Sequence, residues 1–390
     1  IFCPSNSVTA IPWARYYNRN RCTGKQNTLR FYVHTFVDKS AGIVYFNGNT
    51  PLLRLNSNGG WVLKAQILGT GYALPERVLS NADLEKIVRT SDDWIVGRTG
   101  ISFRRIADHK TAASDLAYEA SRSALDKAGI TAQDLDLIIV ATMTPDMPMP
   151  ATACLLQNLL GTRRAGAFDL NAACTGFIYA LSTAEHFLLG GKKYNYVLVV
   201  GAEVLSRVVD FTDRNTCVLF GDGAGAVVLG KGEGENGILA TYLGADGSGS
   251  GLLAIPAGGS RHPASQETVS RRMHYMQMQG NEIFRFAVRS IPKCAAQVLE
   301  EADLCTGDVD YIIMHQANSR ILQAAAKKLN MPWEKVLVNI DRYGNISAAS
   351  IPLLIAETAD KNKFKRGDIL LLVGFGAGLT AGAVLLRWGR

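Results

Sequence analysis

The sequence predicts a layered α/β protein built from two duplicated halves. Three observations lead there. Residues 126–139 (DKAGITAQDLDLII) lie over residues 300–313 (EEADLCTGDVDYII) at a shift of 174, with five of the fourteen positions identical. Residues 197–201 (VLVVG) answer residues 370–374 (LLLVG) at a shift of 173, so the register persists over about seventy residues, as in an internal repeat. Segments such as 137–142 are apolar on both faces, which suits strands covered by helices on each side.

Taken in chain order, residues 1–62 read as a leader. They hold seven Lys/Arg and one acid, Asp38, and are rich in Asn, Ser and Thr with no sustained helical or strand period. The leader resembles an organelle transit peptide, and because the chain begins at Ile1 rather than Met we expect a fragment of a longer precursor. Of the net charge of +7 almost all sits here: 34 of the 41 basic and 33 of the 34 acidic residues lie beyond position 62. The body is therefore near neutral, which removes the electrostatic case for a nucleic-acid partner. No stretch approaches the roughly 20 apolar residues of a membrane-spanning helix. Seven cysteines, widely spaced and without a CxxC pair, argue against a zinc site or a disulfide framework.

The first strand signal is 63–69, and the first half runs over 63–235. Within it, 114–128 is a helix with Ser114 as N-cap and Gly129 as its stop. The strand 137–142 follows, then the strand 167–170, the turn 171–173 and a helix over 172–189 (AACTGFIYALSTAEHFLL), small residues first and apolar ones after, made to be buried on all sides. The Gly/Glu-rich 231–237 is the joint. The second half, 236–390, has a helix over 282–302 that Pro292 should kink or break, the repeat strand to 313, and a second buried helix over 346–359 (ISAASIPLLIAETA).

Cys174 lies at the mouth of the first buried helix, where unpaired N–H groups favour a thiolate and lower the thiol pKa from about 8.5. Ala172, Ala173 and Gly176 leave room beside it for an acyl chain. His315 follows directly from the repeat strand, where the corresponding residue of the first half is Ala141. Asn345, in RYGNISAAS, falls over Asn171 at the shift of 174, so the pseudo-twofold brings two helix mouths towards one point. Each of the three alone has an ordinary reading: a small buried cysteine, a satisfied core histidine, an asparagine forming a turn beside Gly344.

Together with their flanks they resemble a known family. DLNAACTGF (169–177), HQANSRI (315–321), YGNISAASIP (343–352) and GFGAGLTAG (374–382), supported by SDDWIVGRTGI (91–101) and FGDGAGA (220–226), are similar in order and spacing to β-ketoacyl-ACP synthase III, over about residues 64–389. The resemblance implies a thiolase-like fold, five layers in the order αβαβα, and a homodimer without a resident cofactor or metal. It implies a decarboxylative Claisen condensation of acetyl-CoA with malonyl-ACP to acetoacetyl-ACP, the first step of fatty-acid synthesis. Cys174 would carry the acetyl group, and the N–H groups of Cys174 and Ala377 would hold the oxyanion. His315 and Asn345 would hydrogen-bond the malonyl thioester oxygen. Trp94 and Arg214 would grip the adenine of coenzyme A, with Arg98 at its phosphates and Asn281 along the pantetheine arm. Arg320, Lys327 and Lys328 would receive the acidic acyl carrier protein, and Met149 would shape the primer channel near the dimer interface. Two positions depart from the family pattern: Ile346 stands where Thr is usual and Ala381 where Trp is usual.

Related enzymes fit less well. A biosynthetic thiolase needs a second cysteine in the last Gly-rich turn, elongating synthases a histidine in place of Asn345, and hydroxymethylglutaryl-CoA synthase a glutamate near the nucleophile that the matched motifs lack. Plant polyketide synthases share the Cys, His and Asn but not the flanking motifs, and a polyketide-type enzyme using another acyl-CoA primer is the alternative reading. The glycines at 221, 223, 225 and 374, 376, 378 precede strand-like sequence and not a helix, unlike a dinucleotide-binding turn. The basic leader, and the similarity of the GFGAGLT turn to that of plant and cyanobacterial members of the family, imply the plastid stroma, with the mitochondrion as second choice.

Overall fold

The computed structural model of the chain describes residues 63–390, save Lys192, and three short strands upstream. It divides into two compact units, Ile1–Lys64 with Glu233–Glu235, and Ala65–Gly232 with Asn236–Arg390. In the first, β1 (Thr35–Asp38), β2 (Ile43–Phe46) and β3 (Thr50–Arg54) form an antiparallel meander. This corrects the expectation of a leader without strand structure. The signal was the run IVYF, β-branched and aromatic but too short for a two-residue period to register. The remainder of the transit-peptide expectation lies outside the described residues.

From residue 63 the chain proceeds through β4 (Leu63–Ala73), β5 (Val78–Ser80), α1 (Asn81–Glu85), α2 (Asp92–Thr99), β6 (Phe103–Arg105), α3 (Ala113–Ala128), β7 (Leu137–Ala141) and α4 (Thr152–Leu159). After β8 (Gly166–Leu170) come α5 (Gly176–Gly190), β9 (Tyr196–Val204), α6 (Arg214–Cys217) and β10 (Asp222–Glu233). The second half holds β11 (Gly237–Ala245), β12 (Leu253–Ala254), α7 (Gln266–Ser270), β13 (Gln277–Met278), α8 (Gly280–Glu301), β14 (Tyr311–Met314) and α9 (Ser319–Lys328). It closes with α10 (Ile340–Tyr343), α11 (Ser350–Asp360), β15 (Ile369–Gly376) and β16 (Thr380–Arg387).

The sheet of the first half has the order β4-β10-β9-β7-β8, with β7 parallel to both neighbours and β10 antiparallel to β9. In the second half the order is β11-β16-β15-β14, with β14 parallel to β15 and β16 antiparallel to its two neighbours. Val336 bridges Ile312 in parallel where β8 pairs with β7, so the second sheet repeats the first with its edge strand reduced to a single bridge. The joint between halves is the short turn between β10 and β11.

Hydrophobic burial arranges the layers. α3 and α4 cover one face of the first sheet, setting Ala117, Ala120 and Leu156 against Ile138 and Val200. α8 and α9 cover the outer face of the second, with Ile291, Val298 and Leu322 against Ile312 and Leu371. Between the sheets lie α5 and α11, whose Ile178, Leu181, Ile351 and Ile355 pack with Val199 and Leu372. That is the αβαβα order. Among the described residues no helix is long and apolar enough to cross a membrane.

Two local expectations give way. Ser114 is not the cap of α3: Ala112 holds that place, and the Ser114 hydroxyl donates to Asp146 at 2.6 Å. Pro292 does not break its helix, since α8 runs unbroken through it. A proline costs the helix one N–H donor, and here the apolar stripe from Ile283 to Leu299, buried on both sides of it, outweighs that loss.

Candidate active site

The two central helices begin with the same turn. Asn171 Oδ1 accepts from Ala173 N at 3.2 Å, and Asn345 Oδ1 accepts from Ser347 N at 2.9 Å. Ala173 and Ser347 take nearly the same left-handed conformation, φ 45° and 44°, and each leads into a single 3₁₀ turn before α5 or α11. Cys174 thus occupies in the first mouth the position that Ala348 holds in the second. With its oxygen occupied by Ser347 N, the Asn345 amide keeps its Nδ2 as a donor for another partner.

Cys174 is buried, at 6% exposure. β15 passes directly over it: a Cβ built on Gly376 would stand 2.7 Å from Cys174 Cβ and 3.2 Å from Sγ, so only glycine fits. The next residue inward, Phe375, meets the His315 ring edge-on at 5.2 Å. His315 is 1% exposed, its backbone N–H donates to Val373 O at 2.9 Å, and its ring Nδ1 is enclosed without a hydrogen-bond partner. The first mouth and His315 therefore meet the end of β15, and the second mouth lies against the first, where a Cβ built on Gly176 would stand 3.4 Å from Ala348 Cβ.

Electrostatics here differ from the expectation for Cys174. Burial pushes the thiol up to about 12; the Ser347 hydroxyl and the cysteine's own N–H oppose this, and Glu203 adds to it. The helix start favours the thiolate, but desolvation by segments that arrive 170 to 200 residues later is larger. His315 is held down to about 3 by burial and is a neutral imidazole. The site at rest pairs a neutral thiol with a neutral ring.

Sequence reasoning missed Glu203. It lies on β9, fully buried and pushed up to about 7 by desolvation, and accepts from Thr144 Oγ1 at 2.6 Å, Met143 N at 3.2 Å and Ala348 N at 3.4 Å. The Ser347 hydroxyl, short of hydrogen-bond geometry to any partner, faces both Glu203 and Cys174 and lowers both. A glutamate thus does stand close to the nucleophile, outside the matched motifs. Its signal was an acid inside the apolar run VLVVGAEV, a position that burial makes costly unless the group is used. Arg104, also missed, is fully buried and donates to Asn81 Oδ1 and to Val218 O, both at 2.7 Å. It ties the start of α1 to the loop beside Asn345, whose backbone N–H donates to Leu219 O at 2.9 Å.

Farther out, the guanidinium of Arg214 stands 4.6 Å and that of Arg98 5.3 Å from the Trp94 ring. Asn318 Nδ2 donates to Arg98 O at 3.0 Å, joining α9 to α2. Asn281 is exposed in the first turn of α8, and Arg320, Lys327 and Lys328 are exposed on α9. Ala377, half-buried, follows Gly376. Met149 is 85% exposed on the loop before α4, so it lines no interior channel of its own chain. Ile346 packs with Tyr343 and Leu353, and Ala381 with the α8 layer; both departures belong to the core behind the site.

A pair of duplicated sheets around two buried helix mouths, one bearing a thiol and the other a carboxamide, with an imidazole alongside, defines an acyltransferase of thiolase fold. Comparison with known proteins narrows this. Residues 168–247 match the family described as 3-oxoacyl-[acyl-carrier-protein (ACP)] synthase III, and residues 299–388 its C-terminal family. Beta-ketoacyl-[acyl-carrier-protein] synthase III of Syntrophomonas wolfei is 55% identical over 328 residues, 84% of this chain and 98% of that protein. Its counterpart in Caldanaerobacter subterraneus is 53% identical over 328 residues, 84% of this chain and 99% of that protein. The crystal structure of 3-oxoacyl-[acyl-carrier-protein] synthase III from Aquifex aeolicus superposes with a TM-score of 0.77 at 50% identity, covering 83% of this chain and 100% of that one. The chain belongs to the β-ketoacyl-[acyl-carrier-protein] synthase III family.

Proposed function

We propose that the chain condenses acetyl-CoA with malonyl-ACP, releasing carbon dioxide and coenzyme A and giving acetoacetyl-ACP, with Cys174, His315 and Asn345 as its catalytic groups. The observation that supports this reading is the meeting of the two helix mouths beside the end of β15: the thiol lies beneath Gly376, the imidazole against Phe375, and next to the thiol runs the turn that bears Asn345, whose carboxamide oxygen is already engaged. Cys174 Sγ attacks the acetyl thioester carbonyl, the carbon–sulfur bond to coenzyme A breaks, and the proton the cysteine gives up leaves on the coenzyme A thiol. The N–H groups of Cys174 and Ala377 receive the oxyanion; one such donor contributes about 10²- to 10³-fold in rate. Malonyl-ACP then loses carbon dioxide, and its enolate oxygen takes hydrogen bonds from His315 and from Asn345 Nδ2. The carbanion bonds to the acetyl carbon and expels the cysteine sulfur, which is reprotonated from water. A ring held neutral suits this role, because it donates to the enolate without quenching the carbanion. No resident cofactor or metal takes part.

Coenzyme A enters past Trp94, Arg98, Arg214 and Asn281. The Arg214 guanidinium lies directly on the Trp94 ring, so adenine enters between them by displacing it. The exposed Arg320, Lys327 and Lys328 form the surface for an acidic carrier protein. The enzyme is a homodimer in which Met149, too exposed to serve its own chain, closes the primer channel of the second copy. Residues 1–62 form a leader directing halves 63–235 and 236–390 to the plastid stroma. The support is its composition and the match in number between the 328 aligned residues and the stretch from 63 to 390.

Incubation with acetyl-CoA followed by intact-mass measurement tests the assignment. Cys174→Ala should take up no acetyl group, while His315→Ala and Asn345→Ala should be acetylated yet release no carbon dioxide from malonyl-ACP. Stoichiometric acetylation of Cys174→Ala, or undiminished carbon dioxide release by the other two, would refute it. Extending the assay to longer acyl-CoAs separates an acetyl-primed enzyme from one of polyketide type.

A further inference from the structure

The two helix mouths are copies, and they differ in what faces their third residue. Over Cys174 in the first mouth the chain brings Gly376, which has no side chain and leaves the Cys174 N–H to a substrate oxygen in the mechanism above. Over Ala348 in the second it brings β9. There Gly201, the counterpart of Gly374 at the shift of 173, touches Ala348 O, and two residues on, Glu203 stands where Gly376 stands in the other half. Its carboxylate accepts from Ala348 N, the equivalent of Cys174 N.

We propose that Glu203 is a positioning residue that fills the anion site of the duplicated mouth, fixing the turn that presents Asn345 and setting the field in which Cys174 ionises. The first effect runs through hydrogen bonds. Thr144 Oγ1 and Met143 N hold the carboxylate, Thr144 Oγ1 in turn accepts from Val204 N at 2.9 Å, and the anchored group fixes Ala348. Ser347, immediately before Ala348, holds the Asn345 oxygen. The second effect runs through charge. Glu203 is met by neutral groups from the end of β7, from its own strand and from the second mouth, and the ionisable group that its charge opposes is Cys174. Held near 7, the carboxyl changes charge within the physiological range, and its ionised form disfavours the thiolate. The inference rests on the condensing reading for its meaning, but the alkylation arm of its test does not require turnover.

Alkylation of Cys174 by iodoacetamide, followed on its own peptide by mass, reports the thiolate fraction. Glu203→Gln should alkylate roughly tenfold faster than the parent at about pH 8.5, where the parent carboxylate is ionised, and at the parent rate at about pH 5.5, where it is protonated. Ser347→Ala, which removes the hydroxyl favouring the thiolate, should be slower than the parent; Ala173 already holds the same φ in the first mouth, so the turn survives. Carbon dioxide release from malonyl-ACP should fall on the order of tenfold or more in Glu203→Gln through misplacement of Asn345, and Glu203→Asp should recover part of it. A Glu203→Gln to parent ratio independent of pH overturns the proposal. So does a parent alkylation rate that climbs with pH at constant slope through the region near 7, with no inflection, which keeps the question decidable if Glu203→Gln fails to fold. Absence of acetyl transfer in the parent alongside the expected alkylation ratios would count against the condensing function instead.

Discussion

His315 enters the core as a neutral ring, and its surroundings supply no charge to make it otherwise: desolvation is the cause of its depressed pKa. That has a consequence for stability. The folded value of about 3 lies below the ordinary 6.5, so as pH falls below about 6.5 the unfolded chain binds a proton that the folded chain refuses. The native state is therefore weakened progressively from about pH 6.5 down to about 3, with no penalty above that window. At pH 5 the loss from this residue is about 2 kcal/mol. In His315→Gln the difference in urea-unfolding free energy between pH 7.5 and pH 5 should be smaller than in the parent by about that amount; an equal difference would mean the ring is charged or solvated in the fold. The placement of Cys174, His315 and Asn345 was legible from local sequence, because each sits at a strand end or helix start. The charge state of Cys174 was not. It is decided by how completely 345–348 and 374–376 cover it, and no local pattern encodes that.

At the scale of elements, the helix mouths are held by backbone contact. The turn that opens α11 meets β9 so closely that a Cβ on Gly201 would lie 2.4 Å from Ala348 O. Nothing flexible lies there to yield, so Gly201→Ala must push the start of α11 away from the sheet, at a cost of about 1 to 3 kcal/mol. We expect a lowered thermal midpoint and, because Ala348 belongs to the Asn345 turn, a loss in malonyl decarboxylation greater than the loss in acetyl transfer. Equal losses in both would show that the contact matters for stability alone. The glycine spacing at 221–225 and 374–378 was visible in the sequence as strand and not dinucleotide turn, and the structure agrees. The uninterrupted α8 was not visible, since a proline rule applied locally cannot weigh an apolar face that packs along the whole of the second sheet.

For the whole molecule, the duplication was the strongest signal in the chain, because one shift explains both sheets, both buried helices and the two matched mouths. What it could not reach is the region before position 63, which has no counterpart in the second half and where the meander β1 to β3 rests on runs of four or five residues. The hydrophobic clusters of the described residues begin at Ala65, and the Syntrophomonas wolfei relative is matched over 98% of its length by 328 residues of this chain. Residues 63–390 should therefore fold without residues 1–62. A chain of residues 63–390 is expected to melt within a few degrees of the full chain and to acetylate Cys174 at a rate within about twofold, since both helix mouths and every hydrophobic cluster of the described residues lie within it. Residues 1–62 fused ahead of a fluorescent protein should carry it into plastids, as a basic, acid-poor leader would. An insoluble or inactive 63–390 chain would make the upstream strands part of the enzyme, and a fusion that stays in the cytosol would leave the leader without an address.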